Sequence, residues 1–215
     1  MKPDLFERSA ALLALIVVLP LLMVCALAIF LEDRGPVLFR QRRTGRHGRP
    51  FLLIKLRSMK SMSMGCSITA TNDHRITGVG RRIRRYKVDE LPQLWNVVRG
   101  DMSVVGPRPE VPEYVDLSDP RWQTVLSVNA GITDLASLVF RNEERLLAEQ
   151  SDAEKFYRDW LLPNKLDLSA HYIRTRSRTS DARLIALTLI HIFVRNQVDR
   201  NTIEQQFAYR GALHE

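Results

Sequence analysis

Two adjacent carboxylates, Asp89 and Glu90, stand at the start of a predicted helix. They precede Leu91-Pro92, and a proline in the first turn with an acidic residue ahead of it predicts a helix start. Taken alone, Asp89 would be an ordinary N-cap. A basic run leads into the pair and consists of Arg81, Arg82, Arg84, Arg85 and Lys87. Cations and free backbone N–H groups at a helix start also bind phosphate, so the surroundings favour chemistry over capping.

Carboxylates and phosphates can share one site when a divalent cation lies between them. Mg²⁺ commonly binds one or two carboxylates together with substrate phosphates. It also allows an aspartate to attack a phosphorus atom that would otherwise repel it. On this interpretation Asp89 can be a nucleophile, and the neighbouring Glu90 can serve as a base for the acceptor.

Arg108 lies between Pro107 and Pro109 in a loop rich in proline and glycine. In this rigid setting the guanidinium group could bind a phosphate through two parallel hydrogen bonds. A solvated arginine on a proline-rich turn is the alternative. Most of the basic run before Asp89 can similarly be a solvated helix face or one that faces lipid headgroups.

A long apolar segment precedes these residues. No charged residue occurs from Ser9 to Leu31, and a helix of this length, at ~1.5 Å per residue, can cross a hydrocarbon core of ~30 Å. A cleaved signal peptide is the alternative, but the length of the run and the acidic residues Asp4 and Glu7 in its flank argue against it. Pro20 cannot donate a backbone hydrogen bond and clashes with the Ile16 carbonyl, so we expect a kink or a break there. The segment either spans the membrane or enters and returns on one side.

The charges around this segment predict its orientation. Lysine and arginine crowd the C-terminal side, which places the rest of the protein in the cytoplasm; these residues are Arg34, Arg40, Arg42, Arg43, Arg46, Arg49, Lys55, Arg57 and Lys60. The net charge of +8 predicts attraction to phosphates in nucleotides, nucleic acid or anionic lipid. Two cysteines and five scattered histidines form neither a disulfide framework nor a metal-binding motif.

Several elements must position the reactive residues. Pro36–Gln41 and Pro50–Leu56 are predicted to form a hairpin with a basic turn near the lipid headgroups. Residues 57–74 show no period and are interpreted as a mobile loop and candidate lid. Asn142–Trp160 and Asp181–Val194 are predicted to be helices, the first amphipathic and the second a core or interfacial helix.

At this level of detail the sequence resembles the monotopic phosphoglycosyl transferases, also called bacterial sugar transferases. The matching segments are the apolar helix with Pro20, GPVLFRQRRTGRHGRPFLLIKLRSM, ITGVGRRIRRYKVDELPQLWNVVRGDMSVVGPRP, and the later GIT and YIRTRS patterns. The resemblance covers most of the chain, and its central block is long enough to be specific.

The resemblance implies an α+β, mainly α fold in a monotopic membrane protein. Its parts would be an N-terminal re-entrant helix broken at Pro20, a small β-hairpin and amphipathic interfacial helices. Residues 1–33 would form the membrane anchor, and residues 34–215 a cytoplasmic catalytic domain on the membrane surface. The protein would lie at the cytoplasmic face of the bacterial inner membrane.

The resemblance also implies a two-step reaction with Mg²⁺ as cofactor. Asp89 would be the nucleophile and metal ligand, and Glu90 the acid/base partner. Phosphosugar would pass from a UDP-sugar, suggested to be an N-acetylated UDP-hexose, to undecaprenyl phosphate at the lipid bilayer, releasing UMP. This step would begin the assembly of a surface glycan. The implied phosphate or nucleotide contacts are Lys55, Arg57, Arg108 and Arg141.

Three features depart from the family pattern or extend it. Leu19 precedes Pro20 where the family has serine, so a hydroxyl that could satisfy freed backbone groups is missing. The segment from Asn129 to Asp134 replaces the Pro-Gly-Ile-Thr-Gly turn of the family. Glu143-Glu144 could touch substrate, although a charged helix start is the simpler interpretation.

Other classes of protein remain as alternatives. A membrane-tethered nucleic-acid-binding protein would fit the arginine runs, but the sequence has no recognised nucleic-acid module and no aromatic residues between the arginines, so we expect no nucleic-acid partner. A non-catalytic membrane scaffold would use Asp89-Glu90 only as a cap. A homodimer is compatible with the sequence, which does not fix the oligomeric state.

Overall fold

The N-terminal apolar segment forms one long helix in the computed structural model, which describes residues 4–60, 73–194 and 207. This helix, α1, spans Leu5–Asp33 and runs through Pro20 as a single element. The Asp4 side chain caps it by accepting a hydrogen bond from Glu7 N at 2.8 Å. In the described part of the chain it is the one helix long and apolar enough to cross a membrane. Its re-entrant path stays a prediction.

The predicted hairpin is confirmed. Strand β1 (Leu38–Thr44) pairs antiparallel with β2 (Pro50–Leu56). β1 is longer than predicted because its basic residues continue the ladder up to Thr44. The turn is fixed against the domain, since His47 N donates to Leu126 O at 2.7 Å. Of the candidate lid at residues 57–74, residues 61–72 lie outside the described part of the chain.

The basic and then helical pattern before Gly100 forms two short helices. Helix α2 spans Gly78–Arg85, and α3 spans Gln93–Arg99 and ends at Gly100, which has a φ of 86°. A 3-10 turn, Val88–Glu90, lies between them. The N-cap of α3 is Pro92, which makes no side-chain hydrogen bond. The helix therefore starts later than predicted. Asp89 therefore does not serve as the cap of α3.

A second, two-stranded sheet was not predicted. Strand β3 (Met102–Val105) pairs parallel with β4 (Ala130–Thr133), and the crossover between them contains α4 (Pro120–Val125). The Pro/Gly-rich loop that contains Arg108 begins only at Gly106, after β3. The Gly-Ile-Thr segment, for which the resemblance implied a turn, is a strand. Burial of both strands in a parallel pair explains their apolar character.

Gly131 allows this sheet to form. A Cβ atom at this position would lie 2.1 Å from Gly106 N, a backbone atom that cannot move aside. We predict that Gly131→Ala destabilises the protein by about 1–3 kcal/mol, as overpacking does, and thermal unfolding would measure it. Gly100→Ala is a comparison without crowding: a Cβ there meets nothing within 4 Å, so any loss of stability would come from the positive φ alone. An unchanged melting temperature in Gly131→Ala would contradict the close approach of the two strands.

The remaining described residues are mainly helical. They form α5 (Leu135–Val139), α6 (Glu143–Ala148), α7 (Ala153–Phe156), α8 (Leu162–Thr175) and α9 (Arg178–Val194), with a π-helical segment, Tyr157–Leu161, before α8. The second predicted helix is confirmed as α9. The first, Asn142–Trp160, is wrong as a single helix because it is interrupted after Ala148. Asp152 starts a new helix there by accepting a hydrogen bond from Lys155 N at 2.9 Å.

The apolar core lies among α4, α5 and α8, and two smaller clusters connect it to the anchor. Ala11 of α1 packs with residues of β2, α3 and β3. Leu22 and Ile29 pack with Leu56 and Ile83. One stripe of α1 therefore contacts the domain, while most of its other apolar side chains are exposed.

Candidate active site

Asp89 lies in the 3-10 turn between α2 and α3 and is 4% exposed. The turn follows Lys87, whose φ of 55° reverses the chain after α2. Asp89 Oδ1 is buried and has no hydrogen-bond partner among the described residues. A buried carboxylate oxygen without a partner is costly unless a ligand or a cation satisfies it. This oxygen is therefore a candidate for binding a ligand or a cation.

The surroundings of Asp89 act on its charge in opposite directions. Burial, followed by the neighbouring carboxylate of Glu90, raises the pKa of Asp89 above its ordinary value. Lys87, Lys55 and Arg84 lower it in part. Three cations thus act on one carboxylate, and their binding of phosphate stays a prediction.

Glu90 is held by Arg108. Arg108 Nη2 donates to Glu90 Oε1 at 2.8 Å, and Arg108 Nη1 donates to Oε2 at 3.1 Å. Burial alone would raise the pKa of Glu90, but Arg108 and Lys87 outweigh it and hold the pKa well below the ordinary range. Glu90 is therefore a carboxylate at neutral pH. The terminal nitrogens of Arg108 are engaged by Glu90, so a direct phosphate contact of Arg108 stays a prediction.

Lys55 enters the site from β2. Its Nζ lies 5.1 Å from the centre of the Phe39 ring, the residue opposite it in β1. Burial lowers the pKa of Lys55 to about 8, with the charge of Asp89 acting in the other direction. A lysine with this pKa is still mostly charged at neutral pH but has lost much of its hydration, which strengthens its attraction for phosphate.

Arg57 lies on the anchor side of the site. It is 5% exposed and forms an ion pair with Asp33 at 2.8 Å, at the end of α1. Its Nε and Nη2 atoms are buried and have no hydrogen-bond partner among the described residues. Arg57 thus connects β2 to the end of α1, and its phosphate contact stays a prediction.

Arg141 lies just before α6 and is partly buried, and its phosphate contact stays a prediction. Burial, followed by the charges of Arg141 and Lys87, lowers the pKa of His191 in α9. Glu143 and Glu144 form the first turn of α6, which agrees with the interpretation as a charged helix start. Glu143 accepts a hydrogen bond from Lys165 Nζ at 2.9 Å.

Arg84 was not singled out by the sequence. It pairs with Glu144, and its Nη1 lies 3.5 Å from Ser58 Oγ. The signal was present in the sequence: Arg84 follows Gly80 by four residues and therefore shares its buried helix face. Arg81, Arg82 and Arg85 are exposed, as the alternative of a solvated face proposed for most of the run.

A buried polar network lies close to Arg108. Tyr157 Oη donates to Glu110 Oε1 at 2.8 Å, and Lys165 Nζ lies 3.8 Å from the same oxygen. Lys165 also binds Glu143, so α8 and α6 are connected through it. Tyr157, Glu110 and Lys165 are far apart in sequence and follow no motif, so no sequence signal pointed to them.

The residues present fit a Mg²⁺ ion that also binds substrate. No group of three or more His, Cys, Asp or Glu side chains that could hold a metal occurs in the described part of the chain. The partnerless oxygen of Asp89 would supply one ligand, and phosphate oxygens would have to supply the others, as is common for Mg²⁺. Glu90 is less suited because Arg108 already binds both of its oxygens.

Comparison with known proteins extends over most of the chain. A model of the bacterial sugar transferases matches residues 2–195. Over 201 residues the chain is 38% identical to an undecaprenyl-phosphate glucose phosphotransferase of Komagataeibacter xylinus, covering 89% of this chain and 36% of that protein. It is 37% identical over 190 residues to the UDP-glucose:undecaprenyl-phosphate glucose-1-phosphate transferase of Escherichia coli K12, with coverages of 86% and 38%.

A relative of similar length also matches. The uncharacterised sugar transferase EpsL of Bacillus subtilis 168 is 32% identical over 190 residues, which cover 88% of this chain and 86% of that protein. By contrast, the chain spans less than two fifths of the two glucose-phosphate transferases. The similarity to those proteins therefore concerns one part of each.

Proposed function

The chain belongs to the bacterial sugar transferase family, and on this premise we propose that it transfers a sugar-1-phosphate from a UDP-sugar to undecaprenyl phosphate. The products would be UMP and an undecaprenyl-diphosphate-sugar, the starting lipid for a surface glycan. The names of two relatives, which describe undecaprenyl-phosphate sugar transferases, support the substrates. The observation that carries the proposal is the buried Asp89, with one carboxylate oxygen partnerless among the described residues and three cations around it.

In the proposed first step, a carboxylate oxygen of Asp89 attacks the β-phosphorus of the UDP-sugar. An O–P bond forms to Asp89, the bond between the β-phosphorus and the bridging oxygen breaks, and UMP leaves with that oxygen. In the second step, a phosphate oxygen of undecaprenyl phosphate attacks the same phosphorus. The bond to Asp89 breaks, and the carboxylate is regenerated. Splitting the transfer in this way is what a covalent nucleophile offers.

The other side chains would bind and orient the reacting groups. The positive charges of Lys55, Lys87 and Arg84 lower the pKa of Asp89 in part. These side chains would also bind the phosphates that approach Asp89. Asp89 would hold Mg²⁺, which when bound screens the repulsion between carboxylate and diphosphate and polarises the phosphoryl group. Glu90 is ionised, as a base must be. To accept a proton, it would have to give up its hydrogen bonds from Arg108 and bind a proton donor instead. Its fixed pairing fits better with orienting Arg108.

The contacts of α1 support a monotopic arrangement of the anchor. Glu7 and Arg8 near its start, and Glu32 near its end, all hydrogen-bond the same folded domain. A helix whose ends lay in opposite compartments could not make both sets of contacts unless the domain itself crossed the bilayer, which is prohibitive for its polar surface. Both ends would therefore lie at the cytoplasmic face of the inner membrane.

Cysteine labelling tests this topology. In a chain whose native cysteines are replaced by alanine, we expect a cysteine introduced at position 2 to react with a membrane-impermeant maleimide only after intact spheroplasts are permeabilised. Glu113→Cys, on the exposed surface of the domain, is the matched control and should behave identically. Labelling of position 2, but not of position 113, from outside intact spheroplasts would rule out the monotopic arrangement.

The low pKa of Lys55 predicts a pH dependence. Because the pKa is about 8, Lys55 loses its proton as the pH rises through 8, and a phosphate contact that needs the charge weakens. We expect kcat/KM for the UDP-sugar to fall between pH 7.5 and about 9.5, by up to ten-fold for a contact of ~1.4 kcal/mol. Lys55→Arg should flatten this decline, since arginine stays charged. An identical decline in both proteins would assign the titration to another group.

The direct test of the activity is UMP release. Purified protein with Mg²⁺ and undecaprenyl phosphate should release UMP from at least one member of a panel of UDP-sugars that includes UDP-glucose and N-acetylated UDP-hexoses. Each UMP should be matched by one molecule of lipid-linked diphosphosugar. Failure with every UDP-sugar, in a sample that is folded and membrane-bound, would contradict the proposal.

A further inference from the structure

The C-terminal end of the anchor caps a helix of the catalytic domain. Glu32 Oε1 accepts a hydrogen bond from Gly78 N at 2.7 Å, and Oε2 accepts one from Val79 N at 3.0 Å. These are the first two N–H groups of α2, which no intrahelical bond can satisfy. Thr77 Oγ1 accepts from Gly80 N at 2.9 Å. The start of α2 is thus satisfied jointly by its own cap and by the anchor.

The N-terminal end of the anchor does the same for two other elements. Glu7 Oε1 accepts from Val104 N in β3 at 2.6 Å. Arg8 Nε donates at 2.8 Å to Val98 O, in the last turn of α3, where carbonyl groups also lack intrahelical partners. Each end of α1 therefore completes backbone hydrogen bonding that the domain leaves open.

The capped elements lead directly to the reactive residues. α2 carries Arg84, whose charge acts on Asp89, and its last residue lies four positions before Asp89. β3 ends at Val105, three positions before Arg108. α2 has only eight residues, and helices of this length depend on capping and packing for their stability. A loosened start of α2 would be transmitted to Arg84 and to the turn that holds Asp89.

We propose that Glu32 and Glu7 are positioning residues of the transferase site, so that the membrane helix is a part of the catalytic framework as well as an anchor. Glu32 fixes α2 and the Asp89 turn, and Glu7 fixes β3 and the Arg108 loop. The inference rests on the proposed transferase function. It predicts that removing these carboxylates changes the chemical step even when the protein remains folded and membrane-bound.

The test compares Glu32→Ala, Glu32→Gln and Glu154→Ala in membrane nanodiscs. Glu154 is a half-exposed carboxylate that pairs with Arg158 at 3.1 Å, away from the anchor, and serves as the matched control. We expect Glu32→Ala to lower kcat on the order of ten-fold, with a smaller change in KM and faster amide hydrogen exchange over residues 78–90. Glu32→Gln, which keeps one acceptor oxygen, should recover part of kcat, and Glu154→Ala should match the wild type.

The readouts separate positioning from simple stabilisation. If Glu32→Ala, measured well below its melting temperature, has the same kcat as the wild type, the inference is overturned, even if amide hydrogen exchange over residues 78–90 is faster. Equal losses in Glu32→Gln and Glu32→Ala would also overturn it if the folded fraction fell in parallel. Should Glu32→Ala not fold, Glu32→Gln alone decides: it must lower kcat without lowering the folded fraction. Absence of UMP release by the wild type would instead contradict the proposed function, and the exchange measurement would still test the cap.

Discussion

Replacing Asp89 with asparagine is expected to lower the rate of UMP release by at least about 1000-fold, which corresponds to ~4 kcal/mol in the transition state. Asparagine has nearly the same shape but is a poor nucleophile and a poor Mg²⁺ ligand. The steady-state rate of UMP formation in the presence of undecaprenyl phosphate measures the effect. Asp101→Asn is a suitable control, because Asp101 is a partly buried carboxylate that pairs with Arg99 at 3.1 Å outside the site.

The same substitution should not weaken the fold. The pKa of Asp89 is raised by burial and by Glu90, so the folded protein binds the proton more tightly than the unfolded chain does, and ionisation at neutral pH costs stability. A neutral asparagine removes that cost. We expect the melting temperature of Asp89→Asn to equal or exceed that of the wild type, as is common for residues retained for function. A clear decrease would indicate a structural role for Asp89.

Arg108→Ala is expected to lower activity by about ten- to hundred-fold or more. The substitution removes both hydrogen bonds to Glu90 and leaves a carboxylate without its counter-ion next to Asp89. Losing charge-assisted hydrogen bonds costs about 1.5–3 kcal/mol, and the same carboxylate would then repel the incoming diphosphate. Arg108→Lys should be intermediate, because lysine restores the charge but not the paired geometry.

Arg121→Ala is the matched control for this prediction. Arg121 binds Asp119 through Nε and Nη2 at 2.9 and 2.6 Å, and its side chain is 37% exposed, against 33% for Arg108. It should lower stability slightly and leave kcat unchanged. Combining Arg108→Ala with Glu90→Gln should cost less than the sum of the two single changes, because they break one pair. Additive losses would show that Arg108 and Glu90 act independently. An unchanged rate in Arg108→Ala would show that Arg108 has no role in the reaction.

The two adjacent carboxylates illustrate why position along the chain says little about chemistry. The pKa of Asp89 is raised and that of Glu90 is lowered, although both lie in one turn. The difference arises because Arg108 forms two hydrogen bonds with Glu90 and none with Asp89. Opposite shifts in neighbouring acids are characteristic of a site where the two groups have different roles.

Local sequence patterns predicted those elements whose formation depends on residues close together in the chain. The apolar run became α1, the alternating segments became the β1–β2 hairpin, and Gly100 ended α3. The pairing of Glu90 with Arg108, 18 positions later, was not predicted, since the sequence suggested only a phosphate contact for Arg108. The resemblance to the family added Lys55, which no local pattern singled out.

Long-range hydrogen bonds decide the rest and leave no signal in a single sequence. Glu32 and Gly78 are 46 positions apart, and Lys165 reaches Glu143 and Glu110 from α8. The break after Ala148 was missed because the apolar period continues across it, whereas the capping bond of Asp152 decides where the next helix begins. The β3–β4 sheet was missed because parallel pairing needs a long crossover that turn signals do not reveal.

Mass spectrometry can detect the covalent intermediate that we propose on Asp89. Wild-type protein would be incubated with a confirmed UDP-sugar substrate and Mg²⁺, without undecaprenyl phosphate, and then digested and analysed. We expect a phosphosugar on the peptide that contains Asp89 and one UMP per modified chain. We expect no modification in Asp89→Asn, and loss of the adduct when undecaprenyl phosphate is added. A substrate that turns over with the lipid but gives neither adduct nor stoichiometric UMP without it would contradict the covalent mechanism and indicate direct transfer between the two substrates.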